Sequence, residues 1–337
     1  MNLLRPLVAL ALVALAIWVG MTFVVHHEVS DPNSDAFNIL YQHLMPAPLV
    51  VDGHAPAPGA AAGEQGSAGH ATPRLLLSLT LPGLPGEFAT AKGSQPLDMD
   101  PSQGYQLVAT NLQVFQLAAV LLILVCFGGV ARHVRQGGGD WLSRKLSGFV
   151  LWVRDEMVYP VMGATTGRRF LPFFLTIFFF VLFMNLLGLF PGGATATASI
   201  FVTAALATIT LLSMIICGMV VQGPIAFWKH LVPHVPLALW PLMFVVELIG
   251  LMVKPFALTI RLFANMTGGH MVVLSFMGLI FFFAGEHQSA LGWGVSPVAV
   301  SFAVFIMIIE AFVALLQAYI FTQLSILFVS ASMHPEH

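Results

Sequence analysis

The chain has 337 residues, 58% of them hydrophobic and only 8% charged. Soluble domains carry about 25% charged residues, so this composition describes an integral membrane protein. A net charge of −2 argues against a polyanionic partner, nucleic acid included, and the two cysteines, Cys126 and Cys217, each sit inside an apolar run, which leaves no disulfide framework or zinc site.

Leu3 to Val25 is an apolar run preceded inside the first turn by Arg5, the pattern of a signal anchor or signal peptide over residues 1–25. No small-residue cleavage spacing follows it, so a retained anchor is expected. Residues 26–105 are rich in Pro, Gly, Ala and Ser, with eight acidic residues against Arg74 and Lys92. Such a stretch cannot bury a large core and is expected to be flexible or partly ordered outside the bilayer. Its histidines (His26, His27, His43, His54, His70) read as scattered solvated groups rather than metal ligands.

The membrane domain is expected to occupy residues 106–337. Gln106 to Val130 is long enough to cross a core of about 30 Å. Arg132, Arg135, Arg144, Lys145, Arg154, Arg168 and Arg169 follow, seven of the thirteen basic residues in one connection, which places it on the cytoplasmic side. Within it Trp141 to Tyr159 mixes aromatic and charged residues and fits a helix lying in the interface. Phe170 to Phe190 returns outward and Ala196 to Val221 comes back, with Lys229 marking the next cytoplasmic connection. Two long apolar segments remain, 242–284 and 295–332; as helices they would be roughly 65 Å and 57 Å long, about twice the bilayer core. Two tilted helices are expected rather than four spans. The fold class is therefore all-α: a bundle of transmembrane helices with two long, strongly tilted helices at its C-terminal end, plus an N-terminal anchor and an extramembrane segment.

Charge inside these last segments is sparse and needs a reason, because an arginine at mid-bilayer costs roughly 2.5–3.5 kcal/mol on insertion scales. Glu247, Lys254 and Arg261 are spaced by seven, within about 40° of one helix face. His270, nine residues past Arg261, lies about 180° around the helix, although Gly268-Gly269 could bend it. Glu310 and Gln317 share a face on the next segment. Lys254 can snorkel to the headgroups or pair with Glu247 two turns away. Arg261 has no acid three or four residues away, so its counter-charge must come from Glu310, from Glu247 at a distance, or from another chain.

The stretch Lys254-Pro-Phe-Ala-Leu-Thr-Ile-Arg-Leu-Phe-Ala-Asn-Met-Thr-Gly-Gly-His-Met-Val-Val273 closely resembles the signature of subunit a of F-type rotary ATP synthases. Glu310 with Leu315-Leu-Gln-Ala-Tyr-Ile-Phe321 resembles that family's last helix, and Thr166 to Pro172 through Asn185 to Pro191 is similar to an earlier span, so the likeness covers about residues 106–332. The resemblance implies a stationary subunit packed against a ring of c subunits and held by the b subunits of a peripheral stalk. Two aqueous half-channels would pass protons to and from the ring carboxylates. Arg261 matches the arginine that separates the channels and Asn265 lies four positions on. His270 and Glu310 match two half-channel positions with acid and imidazole exchanged relative to many bacterial members, and Gln317 matches the glutamine near the arginine. Glu247 joins the candidate proton-translocating set. The family's setting is the bacterial inner membrane, multi-pass, with residues 26–105 extracytoplasmic and the C-terminus cytoplasmic.

Elementary electrostatics agrees with those roles. A protonated rotor carboxylate is neutral and can face lipid, an ionised one cannot. A charge pair 4 Å apart at an effective dielectric of about 20 gains roughly 4 kcal/mol, or about 3 pKa units. Arginine can therefore make an arriving carboxyl release its proton to the exit channel while itself staying charged. Imidazole and carboxyl groups relay protons, and the membrane potential supplies about 2.3 kcal/mol per proton per 100 mV. The nucleotide-binding GxxxxGK[ST] and GxGxxG motifs and the hydrolase motifs HExxH and GxSxG are missing, so the chain is expected to be non-catalytic, with no cofactor. A proton-coupled secondary transporter is the competing expectation, weakened by the lack of inverted repeats. A plain membrane scaffold would leave Arg261 unexplained.

Overall fold

In a computed structural model the chain is described at residues 4–22, 50–51, 74–75, 78–81, 105–108, 110–130, 133, 141–189, 196–232, 235–236, 239–285 and 289–333. The five histidines between 26 and 70, and Glu286 to Gln288, lie outside these residues. The first helix, α1 (Leu4–Thr22), precedes two small antiparallel strand pairs. β1 (Val50–Val51) pairs with β2 (Arg74–Leu75), and β3 (Ser78–Leu81) pairs with β4 (Tyr105–Val108), Ser78 opposite Val108. The remaining regular structure among the described residues is helical: α2 (Asn111–Phe127), α3 (Trp141–Trp152), α4 (Tyr159–Gly188), α5 (Ile200–Gln222), α6 (Pro224–His230), α7 (Trp240–Gly285) and α8 (Ser289–Met333).

The span expected from Gln106 begins later than the apolar run does. Residues 105–108 are spent on β4, and the helix starts only after Thr110, whose backbone N–H donates to Gln113 Oε1 at 3.2 Å and closes the first turn. Among the described residues four helical stretches are long and apolar enough to cross a membrane: Trp141–Gly188, Ile200–Gln222, Trp240–Ile280 and Trp293–Met333; Pro6–Val19 and Leu112–Phe127 are shorter apolar helices. α1 nevertheless joins the core, with Ala16 buried beside Phe115, Ala119, Met184 and Leu187.

The interfacial helix and the span after it, expected as Trp141 to Tyr159 and Phe170 to Phe190, run together. A π-helical turn, Val153–Val158, joins α3 to α4, and the bend falls at Gly163, with φ 73° and ψ 163°. An L side chain rarely adopts that φ, and a Cβ there would meet nothing within 4 Å, so backbone freedom rather than space calls for glycine. The break lies close to the carbonyl of Val161, which accepts a hydrogen bond from Ser330 Oγ of α8 at 3.1 Å.

α7 and α8 are each one continuous helix, of 46 and 45 residues. At 1.5 Å per residue each is about 68 Å long, more than twice a hydrocarbon core, so neither can stand upright within it. Gly268-Gly269 does not interrupt α7. α8 packs along α7 and also touches α4 and α5. Lipid tails are as apolar as leucine, so close fit and interhelical hydrogen bonds hold such helices together rather than a hydrophobic drive. The inward face of α8 supplies both: Ala299, Ala303, Ala314 and Ala318 allow close approach, while Ser325 Oγ lies 3.3 Å from Thr210 Oγ1 and Ser332 Oγ donates to the Met214 carbonyl at 2.9 Å.

Candidate functional site

Nine residues on an α-helix is two and a half turns, and α7 uses that offset to present polar groups in two directions. Leu251, Leu258, Leu262 and Met266 form its buried stripe. On the far side of the double glycine, His270 points toward α8, its Nδ1 3.6 Å from Glu310 Oε1, with side chains 16% and 4% exposed. That spacing is beyond direct hydrogen-bond length, and both carboxylate oxygens are buried without a hydrogen-bond partner among the described residues. A carboxyl withdrawn from solvent beside an imidazole is chemically equipped to hold a proton and hand it on.

Gly269 makes this approach possible. A Cβ at that position would lie 2.5 Å from Glu310 Oε1 and 2.7 Å from its Cδ, so the carboxylate rests directly against the α7 backbone. The sequence displayed the signal, two glycines immediately before an intramembrane histidine, but they read as a possible bend rather than as a seat for an acid on another helix.

Gln317, two turns past Glu310 on the same face of α8, is 1% exposed. Its Oε1 accepts a 2.9 Å hydrogen bond from Asn265 Nδ2, which ties α8 to α7 one turn from Arg261. Arg261 itself is exposed, and no ion pair to it occurs among the described residues. Glu310, one of its three candidate counter-charges, faces His270 instead. Ala257, Ala264 and Gly268, all exposed, lie within about 60° of Arg261 around the helix, so the guanidinium stands on a face of small residues that a second helix could approach closely.

Glu247 and Lys254 are not joined in the ion pair that their spacing allowed; none occurs between them among the described residues. Lys254 Nζ lies 5.4 Å from the centre of the Phe328 ring of α8, an attraction across the helix pair that takes the ammonium away from its own helix. Glu247 is half-buried on α7, two turns beyond it.

Other buried polar side chains escaped the sequence reading because each is an ordinary hydroxyl or amide. Thr197 Oγ1 donates to Asn185 Oδ1 at 2.7 Å, both residues fully buried. Thr322 on α8 is also fully buried, its hydroxyl without a partner among the described residues. Glu310, Gln317, Ser325 and Ser330 are buried on the same helix, so its inner side is polar at several levels. Only the helix pairing distinguishes these residues from packing.

The chain's similarities lie in the same region. A profile of the family described as ATP synthase A chain matches residues 113–330. ATP synthase subunit a of Myxococcus xanthus is 43% identical over 225 residues, covering 66% of this chain and 71% of that protein. ATP synthase subunit a of Chloroherpeton thalassium is 41% identical over 239 residues, covering 69% of each.

Proposed function

The chain belongs to the ATP synthase A chain family, the stator subunit a through which a rotary ATP synthase couples proton flow to ATP synthesis, and we propose that the His270–Glu310 pair relays its protons while Arg261, steadied by Asn265 and Gln317, separates the two channels. The subunit is part of a proton-translocating membrane complex. It binds no nucleotide itself: the catalytic sites belong to other chains. The exposed face of α7 packs against the ring of c subunits, and the b subunits of the peripheral stalk hold the chain still. The basic connection and the C-terminus lie on the cytoplasmic side of the bacterial inner membrane, and residues 26–105 lie on the other.

One observation carries the assignment of Arg261. It is a cation on an apolar helix with small neighbours and no acid of its own subunit paired to it among the described residues. Such a charge at membrane depth calls for water or an acid beside it, and the acid that fits is one brought by a partner chain. When a protonated ring carboxyl arrives, the guanidinium favours its ionised form by roughly 3 pKa units, and the proton leaves toward the exit channel. The same fixed charge repels a proton trying to cross directly between the two channels. His270 and Glu310 serve one half-channel as a proton-accepting and proton-donating pair. Glu247 and Lys254 lie toward the opposite end of the same helix and belong to the other.

The test is the Arg261→Ala complex in inverted membrane vesicles. Assembly is expected to be normal by subunit composition, while ATP-driven proton pumping is abolished. Coupled pumping at the wild-type rate in that variant would refute the mechanism.

A further inference from the structure

We propose that the exposed face of α3 is a seat for anionic phospholipid headgroups, a surface separate from the proton path. Trp141, Lys145, Gly148 and Trp152 fall within about 60° of one another around this helix, with Arg144 on one flank and Phe149 on the other. All six are exposed, Trp141 at 63% and Trp152 at 39%. Contrary to the usual order in a soluble protein, the hydroxyls face inward: Ser143 is 1% and Ser147 8% exposed. The outward face is thus aromatic and cationic at once.

That combination matches one environment. Indole rings settle at headgroup depth, and lysine and arginine extend apolar stems through it to reach phosphate. Neither Arg144 nor Lys145 is ion-paired among the described residues. Among the described residues the nearest acids in sequence lie beyond the C-terminal end of the helix, where Arg154 holds Asp155 at 2.7 and 3.0 Å and Glu156 follows it; Asp140, just before the helix, lies outside the described residues. Charge complementarity therefore selects a negative lipid over a zwitterionic one, and the flanking tryptophans select a lipid over an acidic protein segment, which would leave the rings in water.

Gly148 offers the probe position, because a Cβ there meets nothing within 4 Å. The assembled complex, with Cys126 and Cys217 replaced by alanine, would carry Gly148→Cys labelled with a fluorophore, in vesicles containing brominated phosphatidylglycerol or brominated phosphatidylcholine. Each basic residue near an anionic surface is worth about fivefold, so two cations give a preference for the anionic quencher of up to about 30-fold at low salt. The preference is expected to fall toward unity in Arg144→Gln/Lys145→Gln, to survive in Lys145→Arg, and to shrink at 1 M salt, where charges are screened beyond about 3 Å. Equal quenching by the two lipids in the otherwise unchanged chain would overturn the proposal. So would no quenching by either, which would put water or another subunit on this face.

Discussion

Replacing Gly269 with alanine adds one methyl group at the point where α7 and α8 come closest around Glu310. The new carbon would stand 2.5 Å from Oε1, 2.7 Å from Cδ and 3.1 Å from Cγ, about 1 Å short of ordinary van der Waals contact. The carboxylate must retreat by that amount, or the two helices must part. Overpacking of this kind costs about 1–3 kcal/mol. If that energy appears wholly in the proton-transfer barrier between His270 and Glu310, flux slows by about 5- to 150-fold. The assay is ATP-driven acidification of inverted vesicles, normalised to the amount of assembled complex. Glu310→Asp in the same chain withdraws the carboxylate by one methylene and is expected to restore part of the flux, a rescue that general misfolding would not give. Gly148→Ala, on α3 and away from the path, is the control: a Cβ there meets nothing within 4 Å, and flux should be unchanged. Wild-type flux in Gly269→Ala would refute both the seat and the place of Glu310 in the path.

Glu310→Ala is expected to slow proton flux, and His270→Glu combined with Glu310→His to recover part of it, since the exchange keeps one imidazole and one carboxyl at the same junction; stopped-flow acidification of reconstituted vesicles measures both. Gly163→Ala keeps every contact but forces a Cβ onto φ 73° and ψ 163°, a region almost confined to glycine, at a strain of about 1–3 kcal/mol. It should lower the yield and thermal half-life of assembled complex without changing flux per complex, as read by native gel and pumping together.

The membrane part of the fold was legible wherever apolar length alone decides the outcome. The long segments 242–284 and 295–332 needed only their missing interruptions to be recognised as α7 and α8, and the spacing of Arg261 and His270 already separated their directions. Boundaries depended on features that hydropathy does not carry. The start of α2 is displaced to Asn111 because Tyr105 to Val108 pair with β3, a partnership between residues more than twenty apart. The bend after α3 sits at Gly163 rather than near Tyr159, since one of several glycines takes the positive φ and the pattern of side chains does not say which. Within the site, residues whose presence in lipid demands an explanation (Arg261, His270, Glu310) stood out on energetic grounds. Gly269, Thr322 and the Asn185–Thr197 pair carry no charge and are ordinary residue types at membrane helix contacts, so only the proximity of a second element gives them meaning.

The geometry also bears on how the proposed path would be kept from leaking. Arg261 and the His270–Glu310 pair are separated by about 13 Å along α7 and by half a turn around it, one facing outward and the other sealed between helices. A proton held by the pair therefore has no straight line to the ring at the level of the arginine. The nearest polar crossing is the Asn265–Gln317 hydrogen bond, in which Gln317 continues the inner line of Glu310 while Asn265 stands one turn from the guanidinium. Neither amide titrates near neutrality, so this crossing can orient the arginine side of α7 without itself holding a proton. In the proposed path, passage from one channel to the other then requires a carboxyl that moves, and the only group that moves past Arg261 belongs to the rotor.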